Sequence, residues 1–320
     1  MSHPPRINQI AICVSDLAAS RAFYRDLFEV PCVGGTRFTG KVTERVQGMA
    51  GATSDVAWLM DDREFFQFEM FQFEHPVPKP FAKGRRPWDI GYSRLAIEVA
   101  DVAAFHARCK QRAVAGLTPI RVVAGKPYFT LRDPDQVLIE VGAAARALPA
   151  GRGARFAGAA LSVPQFDLAM ISFHRVIGCP VLDASPPDKG VLWDEPAASK
   201  RSVLLDGGTA WLEINEYSEP RPAPWPEGYR ICDFGQQNVA FGSRDGDEIR
   251  ALYRRMVDGG FKPNTQLVSS ANQVVLTYLN DPQRFCVEIL MVRPWLDGVM
   301  GFRQSTVFDR VLTKVMMALA

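Results

Sequence analysis

The chain opens on an alternation of apolar and polar positions. In Ile7-Asn8-Gln9-Ile10-Ala11-Ile12-Cys13-Val14, residues Ile10, Ile12 and Val14 share one face, as a half-buried strand requires. Asp16 then stands where a helix N-cap belongs, and the helix is expected to run through Phe23-Tyr24-Arg25-Asp26-Leu27-Phe28. Strands follow at 56–60 and 65–73. The same order restarts at Arg94 to Val99, at Gly158 to Val163 and at Asn238 to Phe241. Each unit reads as strand–helix–strand–strand–strand, so the chain is predicted to hold four βαβββ modules.

Two proline-rich connections separate modules one from two and three from four: His75-Pro76-Val77-Pro78-Lys79-Pro80 and Glu219-Pro220-Arg221-Pro222-Ala223-Pro224. Glu69 and Glu213 lie 144 residues apart, as do Arg94 and Asn238, while Glu140 and Glu288 lie 148 apart. A drift this small marks a loop insertion in a duplicated pair of modules. Ala143 to Ala154, rich in Ala, Gly and Arg, reads as a linker between a domain at 1–142 and a domain at 155–293. The tail from 294 to 320 is read as an amphipathic helix, because Phe308, Val311, Leu312, Val315, Met316 and Leu319 recur at helical spacing. It is expected to dock on the body of the protein or on a partner subunit, which would make a homodimer.

Composition narrows the picture. The 320 residues are 47% hydrophobic and 22% charged, ordinary globular proportions, and the net charge of +2 offers no field to steer nucleic acid. Nothing approaches the roughly 18 apolar residues of a membrane span, and the N-terminus has no apolar signal region. Six scattered cysteines without a C-x-x-C pair read as reduced thiols, which makes cytoplasm the expected compartment.

Three segments then carry a resemblance. Asn8 to Leu17 followed by Phe23-Tyr24-Arg25-Asp26 is similar to the opening strand and helix of the vicinal-oxygen-chelate superfamily, which includes glyoxalases, bleomycin resistance proteins and extradiol dioxygenases. Asp133-Pro134-Asp135-Gln136-Val137-Leu138-Ile139-Glu140 resembles its closing strand, and Asp281-Pro282 to Glu288 is a weaker copy. The resemblance implies an α+β fold in which the four modules pair into two cup-shaped mixed-sheet domains, each with up to four side chains converging on a metal. Carried over in chain order, the first cup would offer Gln9, Glu69, Arg94 and Glu140, and the second Gly158, Glu213, Asn238 and Glu288.

Strand alternation aims these residues inward independently. Leu95, Ile97 and Val99 form an apolar row, so Arg94, Ala96 and Glu98 face the cup; Phe68 and Met70 likewise leave Gln67, Glu69 and Phe71 inward. No histidine stands at the positions the family uses for metal ligands, and guanidinium does not deprotonate. Arg94 is therefore expected to replace a metal, bridging Glu69 and Glu140 or meeting a ligand oxygen, or else to form a purely structural salt bridge. No cofactor is expected: a divalent metal is not favoured, although Glu213, Asn238 and Glu288 form an oxygen-only set that could hold Mg or Ca weakly. Tyr278 lies ten residues before Glu288, a spacing similar to the substrate-binding tyrosine of extradiol dioxygenases.

The partner is expected to be a small, apolar or aromatic, oxygen-bearing molecule, with neither nucleic acid nor membrane involved. Catalysis is assigned to Glu69, Arg94 and Glu140; ligand binding to Gln9, Gln67, Phe71, Glu98, Glu213, Asn238, Tyr278 and Glu288. The leading expectation is a lyase or isomerase with a glutamate as acid and base. Metal-free sequestration of the bleomycin-resistance type, without chemistry, and extradiol-type ring cleavage are the alternatives.

Overall fold

The computed structural model describes residues 5–80, 85–149, 151–193, 199–270 and 272–318. Module one holds β1 (Arg6–Cys13), α1 (Leu17–Phe28), β2 (Cys32–Phe38), α2 (Gly40–Gln47), β3 (Thr53–Leu59) and β4 (Gln67–His75). Module two holds β5 (Gly91–Val99), α3 (Val102–Gln111), β6 (Arg121–Val123), β7 (Lys126–Arg132) and β8 (Leu138–Ala143). Module three holds β9 (Ala154–Ser162), a helix α4 (Phe166–Ala169) that continues with π winding over Met170–Ile177, β10 (Val181–Asp183), a 3-10 turn at Gly190–Trp193, β11 (Ser199–Asp206) and β12 (Trp211–Glu219). Module four holds β13 (Gly235–Ser243), α5 (Gly246–Asp258), β14 (Lys262–Pro263), β15 (Val268–Ser270), β16 (Val274–Asn280) and β17 (Cys286–Val292), with α6 (Val307–Ala318) beyond it.

The four modules are present, and local chemistry explains their starts. Asp16, Asp101 and Asp245 each sit in extended backbone and accept amide hydrogens of the helix that follows. The helix-facing rows, including Ile10, Ile12, Leu95, Ile97, Leu161, Val239, Phe241 and Val287, merge into one core that spans all four modules.

The modules do not pair in chain order. One curved sheet runs β14-β16-β17-β13-β1-β4-β3-β2 and so joins modules one and four; the other runs β10-β11-β12-β9-β5-β8-β7-β6 and joins modules two and three. Each seam is an antiparallel pair of opening strands, β1 with β13 and β5 with β9. The expected cups at 1–142 and 155–293 are corrected accordingly. The segment 143–154 is no boundary between cups, since it connects β8 to β9 inside one sheet. The reason is geometric: that short connection leaves module three beside module two, whereas the proline-rich connections cross to the opposite half. There the Asp89 carboxylate accepts from Ala223 N, and the Asp233 carboxylate accepts from Lys79 N, each at 2.9 Å.

Helix α6 starts at Val307 and docks on the body by one side only, leaving Phe308, Val311 and Val315 exposed. The side held against the body carries Asp309, which accepts from Arg303 at 2.7 and 2.8 Å, and Leu312, which meets the cluster around Val299 and Phe302. Leu319 lies outside the described residues. No described helix is long and apolar enough to cross a membrane, and all six cysteines are free, five of them buried.

This topology makes a prediction. A fragment ending at residue 142 exposes the β1 and β5 edges that β13 and β9 cover, so it is expected not to fold as a monomer. Size-exclusion chromatography with light scattering and chemical denaturation check this; a monomer with a cooperative transition would contradict the pairing.

Candidate functional site

Changing partners changes which side chains meet. The cup of modules one and four brings together Gln9, Gln67, Glu69, Asn238, Tyr278 and Glu288, all at most 4% exposed. The Gln9 side-chain amide lies between the two carboxyls, 2.5 Å from Glu69 Oε2 and 3.0 Å from Glu288 Oε2. The Trp58 indole N–H donates to Glu69 Oε1 at 2.7 Å. Tyr278 lies directly across the β16–β17 pair from Glu288. A cavity of about 510 Å³ opens above these groups, walled by Trp58, Phe71, Leu276, Leu290 and Met300, with α2 along one side.

Two carboxyls in an apolar cup cannot both ionise cheaply. Burial lifts Glu288 to about 7, against the opposing pull of Tyr278, Gln9 and Asn238. Burial, then the charge of Glu288, push Glu69 well above the usual carboxylate range, with the Trp58 N–H opposing. Gln67 Nε2 donates to Gln9 Oε1 at 2.7 Å. Burial thus favours the protonated form of both carboxyls. Tyr278, lifted by burial and by Glu288, remains a protonated donor.

The cup of modules two and three holds Arg94, Glu140 and Glu213, and it is filled. Arg94 Nε donates to Glu140 Oε2 at 2.7 Å, and its Nη2 donates to Glu213. Lys189, from the connection between β10 and β11, inserts its Nζ 2.5 Å from Glu140 Oε1 and 3.6 Å from Glu213 Oε2, over the rings of Tyr128 and Trp211. Although burial pushes it up, Arg94 and Lys189 hold Glu213 down at about 2. Two cations against two carboxylates make a neutral plug. At the opening-strand position Gly158, a Cβ would fall 2.3 Å from the Trp211 ring, so only glycine admits that ring.

The expected quartet of Gln9, Glu69, Arg94 and Glu140 is therefore split. Gln9 and Glu69 join Asn238 and Glu288, whereas Arg94 and Glu140 join Glu213 and Gly158. Arg94 bridges Glu140 to Glu213 and does not touch Glu69. Glu98 sits at the end of β5 in the filled cup, half-buried near Arg155. Gln67, Phe71 and Tyr278 line the open cavity. Sequence reasoning missed Lys189, which lies in a connection without periodicity, and the whole of α2. The only mark of α2 was Val42 and Val46 at i, i+4 spacing, too short a signal to stand alone.

For a metal, Gln9, Glu69, Asn238 and Glu288 present only oxygen or amide donors. Asn238 is fully buried, and neither atom of its amide makes a well-formed hydrogen bond. That orphaned amide oxygen with two carboxylates fits a hard cation such as Mg or Mn, not an imidazole-seeking one. Among the described residues no group of three or more His, Cys, Asp or Glu is arranged to hold a metal. His106 and His174 bind the backbone carbonyls of Thr118 and Cys179, at 2.9 and 2.8 Å.

Comparison with known proteins agrees with this architecture. Residues 6–141 match the model of the Glyoxalase/Bleomycin resistance protein/Dioxygenase superfamily. No curated protein sequence matches the chain. A mutant of glyoxalase I from Zea mays is 17% identical with a TM-score of 0.63, covering 89% of this chain and 92% of that one. A provisionally assigned dioxygenase from Bacillus subtilis is 13% identical with a TM-score of 0.66, covering 98% and 96%. At such identities the likeness is one of fold.

The filled cup yields a stability prediction. Arg94→Met leaves two buried carboxylates facing Lys189 alone and is expected to cost about 3–5 kcal/mol. Urea denaturation at neutral pH measures it; a loss below about 1 kcal/mol would show the quartet to be solvated.

Proposed function

We propose that the cup of modules one and four is an active site that moves a proton on a small, apolar, oxygen-bearing molecule, in the manner of a lyase or isomerase. The observation that carries this reading is the Glu69–Glu288 pair, two buried carboxyls joined by the Gln9 side-chain amide on the floor of the open cavity. The base is thus Glu69 or Glu288, with neither Arg94 nor Glu140 taking part.

The ionised member of the pair removes a proton from carbon next to the substrate carbonyl. Its protonated neighbour and the Tyr278 hydroxyl donate to the oxygen where charge develops. The neighbour then returns a proton at the alternative carbon, which gives an isomer; loss of a group from that carbon gives a lyase product instead. Gln9 donates to both carboxyls and holds them together. The apolar walls exclude water and keep proton affinity near the working pH. A hard divalent cation, were one held by Gln9, Glu69, Asn238 and Glu288, would supply polarisation of the same carbonyl.

Glu69→Gln and Glu288→Gln are each expected to slow solvent-deuterium exchange into aryl ketone and 2-oxo acid substrates by roughly 10²–10⁴-fold. Mass spectrometry reads the exchange. Variants as fast as the parent would exclude acid–base work by these groups, and tight ligand binding without any deuterium uptake would favour sequestration.

The pH profile follows from the same pair. An empty base appears as pH rises through about 7, the value of Glu288, and the acid is lost when the second proton leaves at higher pH. A bell-shaped kcat/KM with its acid limb near 7 is expected. A limb at the ordinary carboxylate value would contradict it.

A further inference from the structure

The open cup has two electrically different ends. Its floor is lined by the carboxyls of Glu69 and Glu288, which offer an anion no cationic partner. Helix α2, along the wall, contributes one basic side chain to the cavity, Arg45. Its neighbours on that helix are already matched, with Lys41 paired to Glu44 at 3.1 Å. Arg45 is exposed and forms no ion pair among the described residues. Between floor and mouth the walls are mostly apolar. A second observation shows that the cavity wants a polar occupant: Gln47, on the other edge of the same helix, is 5% exposed, lines the cavity, and its Oε1 has no partner.

From this polarity we infer that the cup takes an organic acid, seated with its anionic group outward at Arg45 and its uncharged oxygen-bearing end on Glu69 and Glu288. The inference deepens the proposed function and rests on the same cavity. The two floor carboxyls offer the reversed pose no cationic partner among the described residues, so one favourable contact and one unfavourable one together set the orientation. Orientation is what catalysis needs here, because only the inward end meets Glu69 and Glu288. Arg45 is thereby a specificity-determining residue that touches no reacting atom. Its guanidinium suits a carboxylate or phosphate, which it grips through two parallel N–H donors.

The test uses two probes of one shape, 6-hydroxy-2-naphthylacetate and 6-hydroxy-2-naphthylacetamide, titrated calorimetrically into the full chain at low salt. The acid is expected to bind about five- to tenfold more tightly than the amide. Arg45→Gln is expected to erase that preference while leaving amide affinity unchanged, and Arg45→Glu to reverse it. Because Arg45 is exposed, neither substitution threatens the fold. Equal binding of acid and amide by the parent, or a preference that survives in Arg45→Gln, would overturn the assignment. The two readings fail separately. Deuterium exchange that ignores Glu69→Gln and Glu288→Gln would remove the proton-transfer function, whereas a lost or Arg45-independent acid preference would remove the anion subsite alone.

Discussion

Everything in this molecule follows from two antiparallel seams, β1 against β13 and β5 against β9. A strand exposes a row of unpaired backbone groups along its edge, and each module by itself has such an edge at its opening strand. Pairing opening strands covers both rows at once and curls the joined sheets into a cup. Which module supplies the partner is decided by the connections. The short run from β8 to β9 keeps modules two and three side by side, leaving modules one and four, from opposite ends of the chain, to complete each other.

The two cups solve one electrostatic problem in different ways. Each places two glutamates, one on the last strand of each module, at the bottom of an apolar concavity, where bare carboxylates are costly. In the cup of modules two and three, Arg94 and Lys189 supply two permanent positive charges, and the rings of Trp193 and Trp211 lie close to those cations. That cup is neutral, full and suited to stability. In the cup of modules one and four no cation among the described residues reaches the floor. An amide and an indole donate to the carboxyls instead, and a cavity stays open above them. A permanent countercharge silences a carboxylate, whereas a proton leaves it able to exchange. The four repeated modules have thus given one filled cup and one open one.

Gln67 lies between Gln9, to which it donates at 2.7 Å, and the carbonyls of Met300 and Gly301, and so ties the segment after β17 to the floor. Gly301, with φ of 77°, lets that segment press against Trp58 and Gln67 where a side chain would collide. The floor is therefore held from below by strands of two modules and from the side by chain beyond the fourth module.

Local sequence determined a good deal. The alternation of Ile10, Ile12 and Val14 and its three repeats identified four modules, because strand period and helix caps depend on near neighbours. The same alternation aimed Gln9, Gln67, Glu69 and Glu288 away from the helices, and these side chains line the open cavity. Only the tertiary structure decided which of these meet. Side-chain facing is a property of one strand, whereas strand partners depend on where connections lead, and 144-residue spacings are silent on that. Arg94 pointed inward as expected but into the other cup. Lys189 and α2, which fill one cup and wall the other, carry no pattern, since a plug or a lid is defined by the surface it meets and not by its own periodicity.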